Sequence, residues 1–269
     1  MGKRFFLTLC LIFLVALNIY PQEKTLFLLA GQSNAQGLGG KGSKVYCLEN
    51  TCFEYNVLFD SIIPLVDPVG QNWKTLNRSG GSICPAFARE YNSLSGGKVY
   101  MVTAAKSGSS CHTKSRLGHY NTWAKSGDVF ADAVEKTHRA EKMAQVKLSG
   151  IIWMQGERDA NAIIDGKLTP EEYASGLMDV IKRFRAEFGK NLPFYIVMTG
   201  YQLDKEPKGC QAVRKMQEKV AKKMKKVYIA YSATDTFAEK KWYIDNVHYN
   251  QDALNDIGKT VARFSYKFH

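Results

Sequence analysis

Apolar residues along the chain occur in short runs, and polar turns or helical patterns separate these runs. Runs of strand length cover residues 25–30, 98–104, 148–154, 193–199 and 227–232. The first run is continuously apolar rather than alternating, which is typical of a parallel strand that is buried on both faces. The pattern therefore predicts a central parallel sheet of about five strands.

Between these runs, apolar residues recur at helical spacing. The predicted helices cover residues 82–94, 128–146, 170–188, 210–226 and 252–266. Thr169 and Glu172 form a capping box at the start of the third helix, and Gly189 marks its end. Alternating strands and helices predict a three-layer α/β/α sandwich in one domain. Residues 34–80 are rich in Gly, Asn and Pro and predict a long irregular region at the rim of a ligand site.

The first 22 residues differ from the rest of the chain. Lys3 and Arg4 precede an apolar run over residues 5–17, and Pro21 follows. This order is typical of a secretory signal peptide, and the apolar run is shorter than the ~20 residues that a membrane span needs. We therefore expect a secreted or periplasmic protein whose domain covers residues 23–269. An uncleaved N-terminal anchor is the alternative.

The formal net charge of +12 could indicate a nucleic acid or an acidic polymer as partner. However, the lysines are spread over helical faces, as in residues 215–226, and no basic stretch alternates with aromatic residues. A solvated helix face explains this pattern, so we expect no nucleic-acid partner. The number of subunits cannot be read from the sequence.

Five cysteines follow the predicted signal peptide, which in an oxidising compartment suggests up to two disulfides. Cys47 and Cys52 flank a short segment and are the expected pair, and Cys84 with Cys111 is a second candidate pair. The chain has no C-x-x-C motif and no His-rich ligand spacing. We expect no metal and no cofactor.

Unusual polar residues follow four predicted strands. They are Ser33, Gly108, Gln155 with Glu157, and a late loop that carries Asp245 and His248. In a parallel sheet these strand ends lie along one edge, where ligands of open α/β folds bind. Residues that are far apart in the sequence are therefore expected to meet there.

These residue types fit acyl transfer by a serine, which needs a base, a group that orients the base, and donors for the oxyanion. Ser33 is the candidate nucleophile and His248 the base, because histidine titrates near neutrality. Asp245 precedes His248 by three residues and can orient its ring. Glu157 is the alternative acid. The candidate oxyanion donors are the backbone N–H groups of Ser33 and Gly108 and the side-chain amide of Gln155.

Three segments resemble the signature blocks of the SGNH-type carbohydrate esterases. They are Gly31-Gln-Ser-Asn34, Trp153-Met-Gln-Gly-Glu-Arg-Asp159 and Asp245-Asn-Val-His248. The sequence is most similar to the branch of sialic acid-specific acetylesterases and the acetylxylan esterases of carbohydrate esterase family 6. The resemblance covers nearly the whole mature chain, from about residue 24 to the C-terminal helix.

This resemblance implies a three-layer α/β/α fold and a metal-free serine esterase that removes acetyl groups from sugar hydroxyls. It implies that Ser33 is the nucleophile, that His248 is the base, and that Gly108 and Gln155 are oxyanion donors. Family members usually have Lys-Gly-Gly where this chain has Lys106-Ser-Gly108. The candidate substrate-binding residues are Gln32, Asn34 and Ser107.

We therefore expect an exported esterase that deacetylates xylan or a related glycan through an acetyl-enzyme. A sialate O-acetylesterase, a short-chain esterase of other specificity and a non-catalytic glycan-binding module are the alternatives. Aromatic side chains stack on sugars, so five loop residues are candidates for lining a sugar site: Trp73, His112, His119, Tyr120 and Trp123.

Overall fold

The computed structural model describes residues 23–40, 45–70 and 80–268. The predicted signal peptide and Trp73 therefore lie outside the described residues. The strands are β1 (Lys24–Gly31), β2 (Cys52–Asn56), β3 (Ser61–Pro64), β4 (Lys98–Ala105), β5 (Leu148–Met154), β6 (Phe194–Val197) and β7 (Val227–Tyr231). The α-helices are α1 (Ser33–Gln36), α2 (Cys84–Ser95), α3 (Val129–Ala144), α4 (Glu157–Ile164), α5 (Pro170–Phe188), α6 (Lys208–Lys223) and α7 (Gln251–Lys267). Short 3₁₀ helices cover Thr113–Ser115, Gly118–Tyr120 and Ala233–Thr236.

The sheet has the strand order β3-β2-β4-β1-β5-β6-β7, and only β3 runs antiparallel to its neighbour. β1 lies between β4 and β5, and Gly31 at its end pairs with Ala105 on one side and Met154 on the other. The three strand ends that carry Ser33, Gly108 and Gln155 are therefore neighbours along one edge.

Alternate side chains of β1 enter two separate hydrophobic cores. Leu26 and Leu28 pack on one face of the sheet with α3, α4, α5 and α6, whereas Phe27 and Leu29 pack on the other face with α2 and α7. All four side chains are fully buried, as expected for a strand covered on both faces. The predicted three-layer α/β/α sandwich is confirmed.

Within the described residues the sheet has seven strands rather than the predicted five or so, because β2 and β3 form a hairpin inside the region predicted to be irregular. β2 carries polar residues whose side chains bond to the backbone: Glu54 accepts from the N–H of Gly70 at 2.8 Å, and Asn56 accepts from that of Leu58 at 3.0 Å. These residues interrupt the apolar run that marks the other strands. The short helix α4 was also missed.

The predicted boundary of α5 is confirmed in detail. The Thr169 hydroxyl accepts from the N–H of Glu172 at 3.2 Å, and the Glu172 carboxylate accepts from the N–H of Thr169 at 2.9 Å. This capping box satisfies two backbone donors at the helix start. Within the described ranges, none of the helices has the length and apolar character needed to cross a membrane.

Both predicted disulfides are absent from the structure, in which the five described cysteines are free thiols. The pairing of Cys84 with Cys111 is wrong because Cys84 lies in the core beneath α2, whereas Cys111 lies in the core on the opposite face of the sheet. Cys47 and Cys52 lie close enough together that Cys52 raises the pKa of the Cys47 thiol, so the predicted proximity holds although the disulfide is not formed.

Candidate active site

The turn that presents Ser33 depends on Gly31, the last residue of β1. Gly31 has φ +149°, and a Cβ atom there would lie 2.0 Å from the carbonyl oxygen of Met154. Only glycine allows the chain to pass this close to β5 and then turn. α1 begins immediately afterwards, so Ser33 lies in the first turn of a helix at the carboxyl edge of the sheet. It is 4% exposed.

Two backbone N–H groups next to this serine are free to bind an anion. Within the described residues, the N–H groups of Ser33 and Gly108 have no hydrogen-bond acceptor. The loop of Gly108 is held against α1, because the N–H of Ser107 donates to Oε1 of Gln36 at 2.6 Å. Gly108 has φ +70°, and the ring of Tyr120 covers it so closely that a Cβ would lie 2.6 Å from Cδ1 of the ring. The positions of Ser33 and Gly108 thus fit the predicted oxyanion donors.

The side-chain amide of Gln155 is buried and already has acceptors. Its Nε2 lies 2.5 Å from Oδ2 of Asp159 and 3.3 Å from both the carbonyl oxygen of Ser109 and Oε1 of Gln32. Donation to an oxyanion would require that one of these bonds be exchanged. The role of Gln155 as an oxyanion donor therefore stays a prediction.

Gln32 joins the end of β1 to the start of α4. Its Oε1 accepts from the backbone N–H groups of Gly156 at 3.4 Å and Arg158 at 3.2 Å. Its backbone N–H donates to the carbonyl oxygen of Met154 at 3.0 Å. These contacts fix the turn that precedes Ser33, and the substrate-binding role of Gln32 stays a prediction.

The His248 ring is paired with Asp245. Its Nδ1 lies 2.6 Å from Oδ2 of Asp245, and Oδ1 of the same carboxylate accepts from the backbone N–H groups of Val247 and His248 at 2.8 and 2.7 Å. Partial burial alone would raise the pKa of Asp245, but these hydrogen bonds outweigh it and hold the pKa below its ordinary value. No direct hydrogen bond joins Ser33 to His248 in the described residues, and such bonds often tighten only when substrate binds.

Asn34 and Glu157 form a second pair beneath this loop. Nδ2 of Asn34 donates to Oε1 of Glu157 at 2.8 Å. Glu157 is 5% exposed, and burial raises the pKa of its carboxyl despite the hydrogen bond from Asn34. In the described part of the chain, Glu157 makes no hydrogen bond with His248. Asp245, and not Glu157, is thus the carboxylate that contacts a ring nitrogen of His248.

Asp159 is a site residue that the sequence analysis did not single out. It is fully buried and accepts from the N–H groups of Cys111 at 2.8 Å and His112 at 3.1 Å, besides the amide of Gln155. Burial raises the pKa of its carboxyl, against these hydrogen bonds. Its place four residues after Gln155, in the segment that resembles a signature block, is the signal that could have identified it.

The aromatic candidates for a sugar site have different surroundings. Trp123 is fully buried and donates from Nε1 to the carbonyl oxygen of Gly31 at 3.2 Å, so it supports the turn before Ser33 and does not line an open site. Tyr120 is 36% exposed, covers Gly108, and lies 4.4 Å from the ring of His119. His112 accepts from the N–H of Lys114 at 3.1 Å. Among the candidates within the described residues, Tyr120 is thus the one whose ring is partly exposed and covers Gly108.

The described residues contain no group of three or more His, Cys, Asp and Glu side chains that could hold a metal ion. A mostly parallel sheet between helices, with a serine after its first strand and an Asp-x-x-His loop before its last helix, is the arrangement that the resemblance to SGNH-type esterases predicts. The family model described as "Carbohydrate esterase, sialic acid-specific acetylesterase" matches residues 23–267, and the chain belongs to this family. The protein is therefore a carboxylic ester hydrolase of a carbohydrate acetylesterase family.

Three solved structures share the fold. A protein from Arabidopsis thaliana is 20% identical with a TM-score of 0.71, and the match covers 92% of this chain and 99% of that one. NanS is 16% identical with a TM-score of 0.62, and the match covers 93% of this chain and 98% of NanS. A carbohydrate acetylesterase from Xanthomonas citri is 18% identical with a TM-score of 0.58, covering 91% of this chain and 57% of its own. A comparison with curated protein sequences gives no match.

Proposed function

We propose that the protein removes O-acetyl groups from carbohydrates through an acetyl-enzyme. Ser33 attacks the ester carbonyl while His248 takes the proton of its hydroxyl group. Asp245 holds the ring in the required tautomer and stabilises the imidazolium. The N–H groups of Ser33 and Gly108 bind the negative oxygen of the tetrahedral intermediate. The observation that carries the proposal is the 2.6 Å contact between Asp245 and His248.

The remaining steps follow from the same groups. The protonated His248 donates its proton to the sugar oxygen as the C–O bond of the ester breaks, and acetyl remains on Ser33. A water molecule then attacks the acetyl group while His248 again takes a proton. The second tetrahedral intermediate then collapses: the bond between the acetyl carbon and the serine oxygen breaks, His248 returns its proton to that oxygen, and acetate leaves.

The proposed substrate is acetylated xylan or a related glycan, as the resemblance of the sequence to acetylxylan esterases suggests. A second candidate, an O-acetylated acidic sugar such as a sialic acid, is favoured by two half-buried cations that flank the nucleophile. Lys106 follows β4 and Arg158 follows the end of β5, on either side of Ser33. Neither forms an ion pair within the described residues, and Nε of Arg158 is buried without a hydrogen-bond partner. An arginine with a buried guanidinium nitrogen that lacks a partner is suited to bind the carboxylate of a substrate.

Hydrolysis of p-nitrophenyl acetate, p-nitrophenyl octanoate, acetylated xylan and O-acetylated sialic acid by the mature protein tests both candidates. We expect release of acetate that is lost in Ser33→Ala, and little activity on the octanoyl ester. Equal, negligible rates in the two folded proteins would favour the glycan-binding module, and a preference for octanoate would favour an esterase of other specificity.

Arg158→Gln separates the two sugar classes. If an acidic sugar is the substrate, this variant lowers the ratio of kcat/KM for acetylated sialic acid to kcat/KM for acetylated xylan by about 10-fold or more. Arg263→Gln is the matched control, because Arg263 pairs with Glu90 at 2.7 Å on α7, away from the site. An unchanged ratio in Arg158→Gln rejects the acidic-sugar candidate.

We also propose that the protein is exported by its first 22 residues, the alternative being an uncleaved anchor. The support is the order of basic and apolar residues in that segment. Expression of the full chain, followed by N-terminal sequencing of the protein recovered outside the cytoplasm, tests this. A start near residue 23 supports cleavage, and an intact N-terminus on membranes supports the anchor.

A further inference from the structure

Asn34 contacts both sides of the catalytic histidine. Its Nδ2 donates to the carbonyl oxygen of Val247 at 3.2 Å, and its Oδ1 accepts from the backbone N–H of Tyr249 at 3.1 Å. His248 is the residue between these two. The side chain of Asn34 therefore bonds to the backbone on both sides of the residue that carries the imidazole ring.

The orientation of the Asn34 amide is set by Glu157. Asn34 is 2% exposed, and the second hydrogen of its Nδ2 donates to Oε1 of Glu157 at 2.8 Å. A rotated amide would place its oxygen against both the Glu157 carboxylate and the carbonyl oxygen of Val247, and all three of its hydrogen bonds would be lost. Because the Glu157 carboxylate only accepts hydrogen bonds, it selects the orientation of the Asn34 amide that also bonds to the loop.

The loop needs this anchor because most of its own side chains are exposed to solvent and are not held by packing. Ile244, Asp245 and Asn246 are exposed, and His248 is half-buried. Tyr249 is 2% exposed, and its hydroxyl accepts from the N–H of Gly200 at 2.9 Å, which fixes the far side of the loop. On the near side, Asn34 connects the loop to the helix turn that carries Ser33.

We infer that Asn34 is a positioning residue that sets the place of His248 relative to Ser33, and that Glu157 acts through Asn34. This role differs from the predicted contact of Asn34 with substrate and from the predicted action of Glu157 on the imidazole. It rests on the proposed function, since it assigns a task within the same reaction. Asn34 is adjacent to the nucleophile and bonded to both neighbours of the base, so one side chain couples the two reacting groups.

The test compares Asn34→Ala with Asn92→Ala in the mature protein. Asn92 is a matched control, because it is also buried and its Nδ2 bonds to the carbonyl oxygen of Gly97 at 2.7 Å, at the opposite edge of the sheet. We expect Asn34→Ala to lower kcat for p-nitrophenyl acetate about 10²-fold with little change in KM, because small misplacements of reacting groups have effects of this size. Equal kcat in the two variants, or a rise in KM alone, overturns the inference.

Two further variants test the role of Glu157. Asn34→Asp keeps the size of the side chain but removes the donor, so we expect a loss of kcat similar to that of the alanine variant. In the double variant Asn34→Asp/Glu157→Gln, the amide of residue 157 donates the hydrogen bond in place of residue 34. We expect part of the lost kcat to return. If the double variant is no faster than Asn34→Asp, Glu157 does not act through Asn34.

A readout that does not depend on turnover separates this inference from the proposed function. The NMR signal of the Nδ1 proton of His248 should shift or broaden in Asn34→Ala and stay unchanged in Asn92→Ala. An unchanged signal in both variants overturns the inference even if the esterase reaction is confirmed. If the wild-type protein shows no Ser33-dependent hydrolysis, the proposed function fails, and the NMR comparison still decides whether Asn34 holds the loop.

Discussion

Asp245 bonds to His248 twice, through the ring Nδ1 at 2.6 Å and through the backbone N–H at 2.7 Å. The aspartate therefore shapes the turn that carries the histidine as well as orienting its ring. Because the two residues are three positions apart, the pair forms within one short turn, and contacts from Asn34 connect that turn to α1.

Asp245→Asn tests which acid serves the base. The amide would donate to the ring nitrogen and favour the wrong tautomer, so we expect kcat/KM for p-nitrophenyl acetate to fall roughly 10³-fold. Glu157→Gln is the comparison, because the new side chain still offers an oxygen to Asn34, and its loss should be much smaller. A larger loss in Glu157→Gln than in Asp245→Asn would assign the acid to Glu157.

Gly108→Ala tests the oxyanion donor. A Cβ would meet the ring of Tyr120 in a backbone conformation that alanine rarely adopts, which displaces the N–H of residue 108. We expect kcat to fall about 10²-fold with KM little changed, since the loss of one oxyanion donor has this effect. Gly118→Ala is the control, because Gly118 also has a positive φ, of +49°, but nothing within 4 Å of its Cβ position. Similar kinetics in the two variants would remove Gly108 from this role.

The buried carboxyl group of Glu157 leads to a prediction of how the stability of the protein depends on pH. Burial raises the pKa of its carboxyl, so the folded state disfavours the ionised form. The contribution of this group to stability is therefore present at low pH and is lost as the pH rises through the folded-state pKa. Chemical unfolding of wild type and Glu157→Gln between pH 4 and 8 should show the variant gaining stability relative to wild type as the pH rises. A constant difference in the free energy of unfolding across this range would show that burial does not disfavour the ionised form of Glu157.

The sequence predicted those parts of the site that depend on local order. β1 is an unbroken apolar run that ends in Gly31, and Asp245 and His248 lie within one turn, so both features can be recognised without knowledge of tertiary contacts. The parallel sheet then brings the strand ends together, as expected for the edge that carries Ser33 and Gly108, whose catalytic roles stay predictions.

The remaining features depend on contacts between distant segments. β2 was missed because Glu54 and Asn56 break its apolar pattern, although the fold satisfies both side chains. Asn34 was predicted to bind substrate, and its contacts with residues more than 200 positions away cannot be inferred from spacing. The faces on which Cys84 and Cys111 lie depend on sheet register in the same way.

Labelling with a fluorophosphonate tests the central claim most directly, because the probe reacts with serines activated by a base and an oxyanion site. We expect a single adduct on the peptide that contains Ser33 in the folded, mature protein. The adduct should be absent in Ser33→Ala and retained in Ser126→Ala, a loop serine whose hydroxyl contacts that of Thr113 at 3.1 Å. Absence of the adduct from folded wild-type protein, or equal labelling of Ser33→Ala, would contradict the account.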